Sequence, residues 1–233
     1  MTPKSFVSTL AATELPSVFN PWRDRCTVHD RSDAAASAAT ISKCCSPRRL
    51  IIASKRSGSR VISAIAGRRT GVPLTDEIHL GHAGTLMGGI AFERATQGPA
   101  VAERTAAIVW RVLERIGQPV MLWNVFPFHP HEADDPMSNR CHTRSEREAT
   151  WPILQALVSM IRPRQIVAIG RDAHLALDGL DIPTTAVRHP SYGGQREFIE
   201  GMFSLYGVAD DNDEPLELPL GAPHAAARRC ALA

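Results

Sequence analysis

The sequence predicts an α/β fold, a three-layer α/β/α arrangement around a mostly parallel central sheet. Three observations predict it. Short apolar, β-rich runs recur at residues 120–125, 165–169 and 184–187. Segments of helical periodicity or helix-forming composition stand between and after them, at 99–117, 145–161, 173–177 and 195–206. Each run is also too short to be a helix of its own, and Gly or Pro stands near its ends. Strands that alternate with helices are joined by crossovers, and crossovers place the strands parallel with helices on both faces.

In chain order, residues 1–17 carry no sustained period and read as an N-terminal arm. Phe19-Asn20-Pro21-Trp22 reads as a turn, because the residue before proline is driven out of the helical region. Trp22 is expected to pack the arm onto the domain. From Ala34 to Thr75 there is no Asp or Glu, while Lys43, Arg48, Arg49, Lys55, Arg56, Arg60 and Arg68 accumulate, and neither the strand nor the helix period holds. Residues 99–117 form an amphipathic helix, with Val101, Ile108, Val109, Val112, Leu113 and Ile116 on one face. Gly117 is suited to end it in the left-handed conformation. The strand at 120–125 opens into a Pro-rich loop over 126–136. The helix over 145–161 has Glu146 and Glu148 early, where they favour the dipole, and Pro163 stops it. The strand 165–169 leads through Gly170 into the short helix 173–177. A third strand, a loop over 189–194 and the closing helix 195–206 follow. Residues 209–233, acidic and then rich in Pro and Ala, read as a disordered tail. The globular unit is thus expected over 18–208.

Bulk properties narrow the function class. A chain of 233 residues, 44% hydrophobic, can bury one well-formed core. Its net charge of +2 neither announces nor excludes a nucleic-acid partner. Cys26, Cys44, Cys45, Cys141 and Cys230 contain no Cys-x-x-Cys pair, which speaks against a zinc ribbon or a disulfide framework. No apolar run approaches the ~18 residues of a membrane span, so a soluble, cytoplasmic, monomeric protein is expected.

Chemistry is concentrated in the loops of the second half. Asn124 stands at a strand end, where a carboxamide offers a donor and an acceptor side by side. Such a pair complements the O4 and N3–H edge of uracil and mismatches cytosine. His189 lies in Arg188-His189-Pro190-Ser191, and an imidazole donor aimed at uracil O2 would stabilise the negative charge that builds as a glycosidic bond breaks. Ser191 and the amides around Gly193 are placed to hold a phosphate. Taken singly, Asn124 also reads as a loop cap and His189 as a solvated surface side chain.

Taken together, these loops resemble the uracil-DNA glycosylase superfamily, closest to bacterial family 4 enzymes. The resemblance rests on Asn124, on Asn139-Arg140-Cys141-His142-Thr143, on Gly170-Arg171-Asp172-Ala173 and on His189-Pro190-Ser191, with support from Phe19-Asn20-Pro21-Trp22-Arg23 and Gly71-Val72-Pro73-Leu74-Thr75. It implies a glycosylase that flips deoxyuridine out of DNA containing uracil. His189 is then the catalytic residue, Asn124 and Leu74 bind the base, and Ser191, Gly193 and Arg140 bind DNA. The alternative it carries is an inactive relative that keeps the fold and weak DNA or base binding.

Three departures accompany the resemblance. The family's Gly-Glu-Ala-Pro-Gly type loop, which positions the attacking water, has no counterpart between Leu50 and Arg69. Leu74 replaces the usual stacking Phe and has no π-face. The cysteines do not reproduce the family 4 iron-sulfur set, so no cofactor and no metal are expected. Read one base over with permitted codons, residues 36–45 give Ile-Arg-Arg-Asn-Asn-Leu-Lys-Met-Leu-Leu, and residues 59–67 give Val-Pro-Gly-Tyr-Gln before the in-frame Arg68. Two compensating frameshifts would account for the atypical stretch 34–67. A metal-dependent hydrolase using His129, His131, Glu132 and Asp134 or Asp135 is the reading from another class, while His79 and His82 read as surface residues.

Overall fold

The structure is a computed structural model that describes residues 1–27, 30–31, 49–53, 70–86, 91–135 and 138–209. Most of the acid-free stretch and all but the first residue of the expected tail lie outside these residues. Among the described residues the helices are α1 (Pro3–Ala12), α2 (Leu80–Leu86), α3 (Arg104–Ile116), α4 (Arg144–Ile161), α5 (Arg171–Ala176) and α6 (Gln195–Tyr206). The strands are β1 (Val18–Phe19), β2 (Arg49–Ala53), β3 (Val120–Asn124), β4 (His129–Pro130), β5 (Gln165–Ile169) and β6 (Thr184–Val187).

Four strands form an all-parallel sheet in the order β3-β2-β5-β6, while β1 and β4 pair antiparallel apart from it. Side chains alternate across the sheet with a period of two, so each strand feeds two cores. Ile52, Met121, Trp123, Ile166 and Ala168 face one core, with Phe6 and Leu10 of α1, Ile153, Leu154 and Leu157 of α4, and Ala173 of α5. Ile51, Leu122, Val167 and Ile169 face the other, with Ile108, Trp110 and Leu113 of α3 and Phe198, Met202 and Phe203 of α6. Burial on both faces explains why the strands are near-continuous apolar runs. The expected three-layer α/β/α architecture is what the chain adopts.

The N-terminal segment differs from the expected unpatterned arm. Thr2 and Ser5 form a capping box and Pro3 occupies the first turn, where its missing N–H costs nothing. Phe6 and Leu10, one turn apart, then enter the core. Asn20 fastens the far end of this helix: its Nδ2 donates to the carbonyls of Leu10 (2.7 Å) and Thr13 (2.9 Å), and its Oδ1 accepts the Trp22 amide (2.9 Å). Trp22 packs as expected, 6.1 Å between ring centres from Trp123 and edge-on to Phe128 at 6.0 Å.

β2 is the second difference. It lies in the stretch where neither period held, yet it is a central strand. Its backbone is laddered to β3 on one side and β5 on the other, so pairing supplies the order that its own pattern lacks.

Candidate functional site

The ladder register assembles the site. Ala53 pairs with Asn124 on one side and with Ile169 on the other, and Ile169 pairs with Val187. All four parallel strands therefore finish level, and Asn124, Gly170 and His189 emerge at one edge. In open parallel sheets this carboxyl edge is where ligands bind. Ala53 ends β2 at the same edge, between Asn124 and Ile169.

Asn124 is half-buried, and its backbone is locked because the Val125 amide donates to the Ala53 carbonyl at 2.8 Å. Its carboxamide makes no hydrogen bond to any described residue, so it does not cap the following loop. A strand-end carboxamide held by the sheet and left with its donor and acceptor in hand is suited to reading a planar ligand edge.

His189 is packed into place by two glycines. Gly170 has φ +89°, and a Cβ there would stand 3.2 Å from the His189 Cβ. Gly194 is more demanding, because a Cβ there would fall 2.3 Å from the His189 carbonyl oxygen. Gly194 thus lets the loop close tightly on itself. The Ser191 amide donates to His189 Nδ1 at 3.2 Å, and the Ser191 hydroxyl lies 2.6 Å from the same nitrogen. An amide can only donate, so Nδ1 is an acceptor and the neutral ring carries its proton on Nε2. Tyr192 (φ +55°) and Gly193 (φ +78°) then turn the loop back, and Gly193 has open space around its Cα.

The loop carrying Leu74 reaches the same edge. The short 117–119 connection makes α3 run antiparallel to β3, so the N-terminus of α3 lies where β3 ends. Trp110 of α3 donates from Nε1 to the Thr75 hydroxyl at 3.1 Å. The amides of Glu103 and Val101 donate to the carboxylates of Asp76 (2.6 Å) and Glu77 (2.9 Å). Leu74 itself is half-buried against the α3-side core with φ +56°. A β-carbon makes that region uncommon, and the anchored Thr75-Asp76-Glu77 run holds it there. Burial pushes the Asp76 carboxyl up, but hydrogen bonds from His79 and the Glu103 amide outweigh it and hold the group below its usual range.

Arg140 is placed differently from the expectation. Nε donates to the His131 carbonyl (2.9 Å), Nη1 to the Cys141 carbonyl (3.0 Å) and Glu146 Oε2 (2.9 Å), and Nη2 to the Ser17 carbonyl (3.3 Å) and Glu146 Oε1 (2.6 Å). All five N–H donors of the guanidinium are committed, which leaves none for a phosphate. Arg140 ties the loop after Asn124 to α4 and to the N-terminal segment. The hydrogen bonds with Glu146 hold the Arg140 guanidinium above its usual range despite partial burial. Burial opposes ionisation of Glu146, yet the bonds from Arg140 and the Thr143 amide hold it below its usual value.

The hydrolase cluster does not converge. His129 Nε2 donates to the Ser138 carbonyl at 2.9 Å and His131 Nδ1 to the Glu132 carbonyl at 2.7 Å. Among the described residues, no three His, Cys, Asp or Glu side chains are grouped to hold a metal. No helix among them is long and apolar enough to cross a membrane.

The family model of the uracil DNA glycosylase superfamily matches residues 66–204, more than half of the chain. The chain belongs to that superfamily. No curated protein matches it. As a superfamily member it carries a glycosylase-like domain whose partner is DNA, and the matched stretch contains Leu74, Asn124, Arg140, His189, Ser191 and Gly193. The match begins at the close of the acid-free stretch. Sequence reasoning missed the Asp76–His79 pair, whose importance lies in a distance that spacing does not reveal.

Proposed function

We propose that this superfamily member hydrolyses the N-glycosidic bond of a deoxyuridine flipped out of DNA, as a family 4-like uracil-DNA glycosylase acting as a cytoplasmic monomer. The observation that carries the reading is the common edge: Asn124, whose carboxamide has no hydrogen bond to a described residue, ends β3, and His189, with its proton on Nε2, follows β6 in the same sheet, whose strands finish in level register. Asn124 pairs with O4 and N3–H of the base, which selects uracil over cytosine. Leu74 supplies an apolar wall for the ring. As the C1′–N1 bond breaks, its electron pair passes to the uracil ring, and Nε2–H of His189 donates to O2, where charge collects. Water adds to C1′ and releases a proton. Ser191 and the Gly193 amide hold the phosphate next to the flipped nucleotide, while Arg140 keeps the Asn124 loop in shape from within.

The glycosylase-like domain we assign spans 18–208, with Phe6 and Leu10 of α1 packed into its core and with 34–67 altered by the paired frameshifts. A second reading has one observation of its own. The chain that leaves the edge after Ala53 contains no Asp or Glu until Asp76, so the group that would position the water is missing where relatives carry it. A folded, inactive binder follows from that. Release of uracil from a single-uracil oligonucleotide, with His189→Ala as control, decides between them. Release abolished by the substitution supports the glycosylase, whereas no release together with retained binding of the oligonucleotide supports the inactive relative.

A further inference from the structure

Two histidines beside the Leu74 loop form a pair with matched surroundings. His79 precedes α2 and His82 lies three residues on, with ring centres 5.5 Å apart and planes at 82°. Nδ1 of His79 meets Oδ1 of the fully buried Asp76 at 2.6 Å, and Nδ1 of His82 meets Oε1 of Glu114 on α3. An ionised carboxylate only accepts, so each Nδ1 carries a hydrogen and each neutral ring has its lone pair on Nε2. Neither Nε2 has a hydrogen-bond partner among the described residues.

Carboxylate behind imidazole is the outer shell of metal-ligating histidines, because it fixes the tautomer and raises the basicity of the distal nitrogen. With Zn–N bonds of about 2.0–2.1 Å, two imidazoles sharing one tetrahedral ion have ring centres about 5 Å apart. The observed separation is within about half an ångström of that value. We propose that His79 and His82 are the protein ligands of a site for a borderline divalent ion of the zinc class, with water completing the coordination sphere. The ion would brace α2 against α3 through Glu114, and against the Leu74 loop through Asp76. The proposal is independent of glycosylase activity.

The test is a calorimetric titration of the untagged full chain with Zn²⁺, repeated on His79→Gln, His82→Gln, Glu114→Gln and His174→Gln. The expected result is one equivalent bound, weakened at least about tenfold by either His79→Gln or His82→Gln and about tenfold by Glu114→Gln, and unchanged by His174→Gln. Zn²⁺ should also raise the melting temperature of the unsubstituted chain and not that of His82→Gln. If His79→Gln fails to fold because Asp76 loses its partner, His82→Gln and Glu114→Gln alter half-exposed side chains and still report on the site. Zinc affinity that survives His82→Gln, as binding by thiols would, overturns the assignment, as does the absence of any binding.

Discussion

Gly194→Ala isolates the placement of His189. The backbone at Gly194 has φ −87°, ordinary for alanine, so the substitution adds a methyl group and no conformational penalty. That methyl would stand 2.3 Å from the His189 carbonyl oxygen and 2.8 Å from the Arg188 side chain. Reaching even the 3.0 Å floor of real Cβ contacts requires a backbone displacement of about 0.7 Å. Overpacking of this kind costs about 1–3 kcal/mol of stability, and a displacement near 1 Å of a group that must meet developing charge costs about 10²-fold in rate. Gly193→Ala is the matched control: its Cβ meets open space, and only the positive φ is penalised, by about 1 kcal/mol. Single-turnover uracil release should therefore fall about 100-fold in Gly194→Ala and far less in Gly193→Ala, with thermal melts confirming that both are folded. Equal rates in the two variants would refute the account of how His189 is positioned. Should the chain bind without releasing uracil, the same displacement is read as a change in the His189 ring-nitrogen NMR shifts.

Asn124→Ala removes the two hydrogen bonds to the base proposed above and should lower uracil release by about 10–100-fold, while the melting temperature stays unchanged because the carboxamide has no partner among the described residues. Ser191→Ala deletes the hydroxyl at His189 Nδ1 but keeps the amide, so a loss of about tenfold in rate is expected, together with weaker oligonucleotide binding as the proposed phosphate contact is lost. Arg140→Ala leaves Glu146 partly buried without its cation and should cost about 2–4 kcal/mol of stability by denaturant titration. Because the folded Glu146 is held below its ordinary value of 4.5, its contribution is fully present above that pH and fades as the pH falls through the lowered folded value. The gap in melting temperature between the unsubstituted chain and Glu146→Gln should therefore narrow progressively as the pH falls below 4.5. Finally, the gene read one base over across codons 36–67 should encode a Gly-Glu-Ala-Pro-Gly type loop; a nucleotide sequence with no better reading in a neighbouring frame rules out the paired frameshifts.

What the sequence made legible follows from where local signals dominate. β5, β6 and α6 have the expected bounds because apolar runs and glycine stops coincide there. α3 begins at Arg104 rather than near 99 because the amides of Val101 and Glu103 are taken by Glu77 and Asp76, some 25 residues away. α4 runs through Pro152 because Ile153, Leu154 and Leu157 bind its face to the core on the far side of the missing N–H. α1 escaped notice because its signal is a cap and two apolar anchors, and β2 because its order comes from its neighbours. In the site, Asn124 and His189 were legible as residue types at strand ends. Arg140 was not, since an arginine that grips a phosphate and one that grips a carboxylate look alike until each N–H is traced. His79 was taken for a surface residue for the same reason, its buried partner being three residues back.

The level register of the four strand ends has a practical meaning for engineering. β2 is only five residues long and is clasped by ladders on both sides, so the sheet supplies a fixed end point at Ala53, and the family match begins at residue 66. The interval of sequence between these two points is a natural unit to exchange. Exchanging it for the loop of an active relative transplants a reaction step without asking the scaffold to refold around it, and the gain of activity would measure what one loop contributes to a glycosylase.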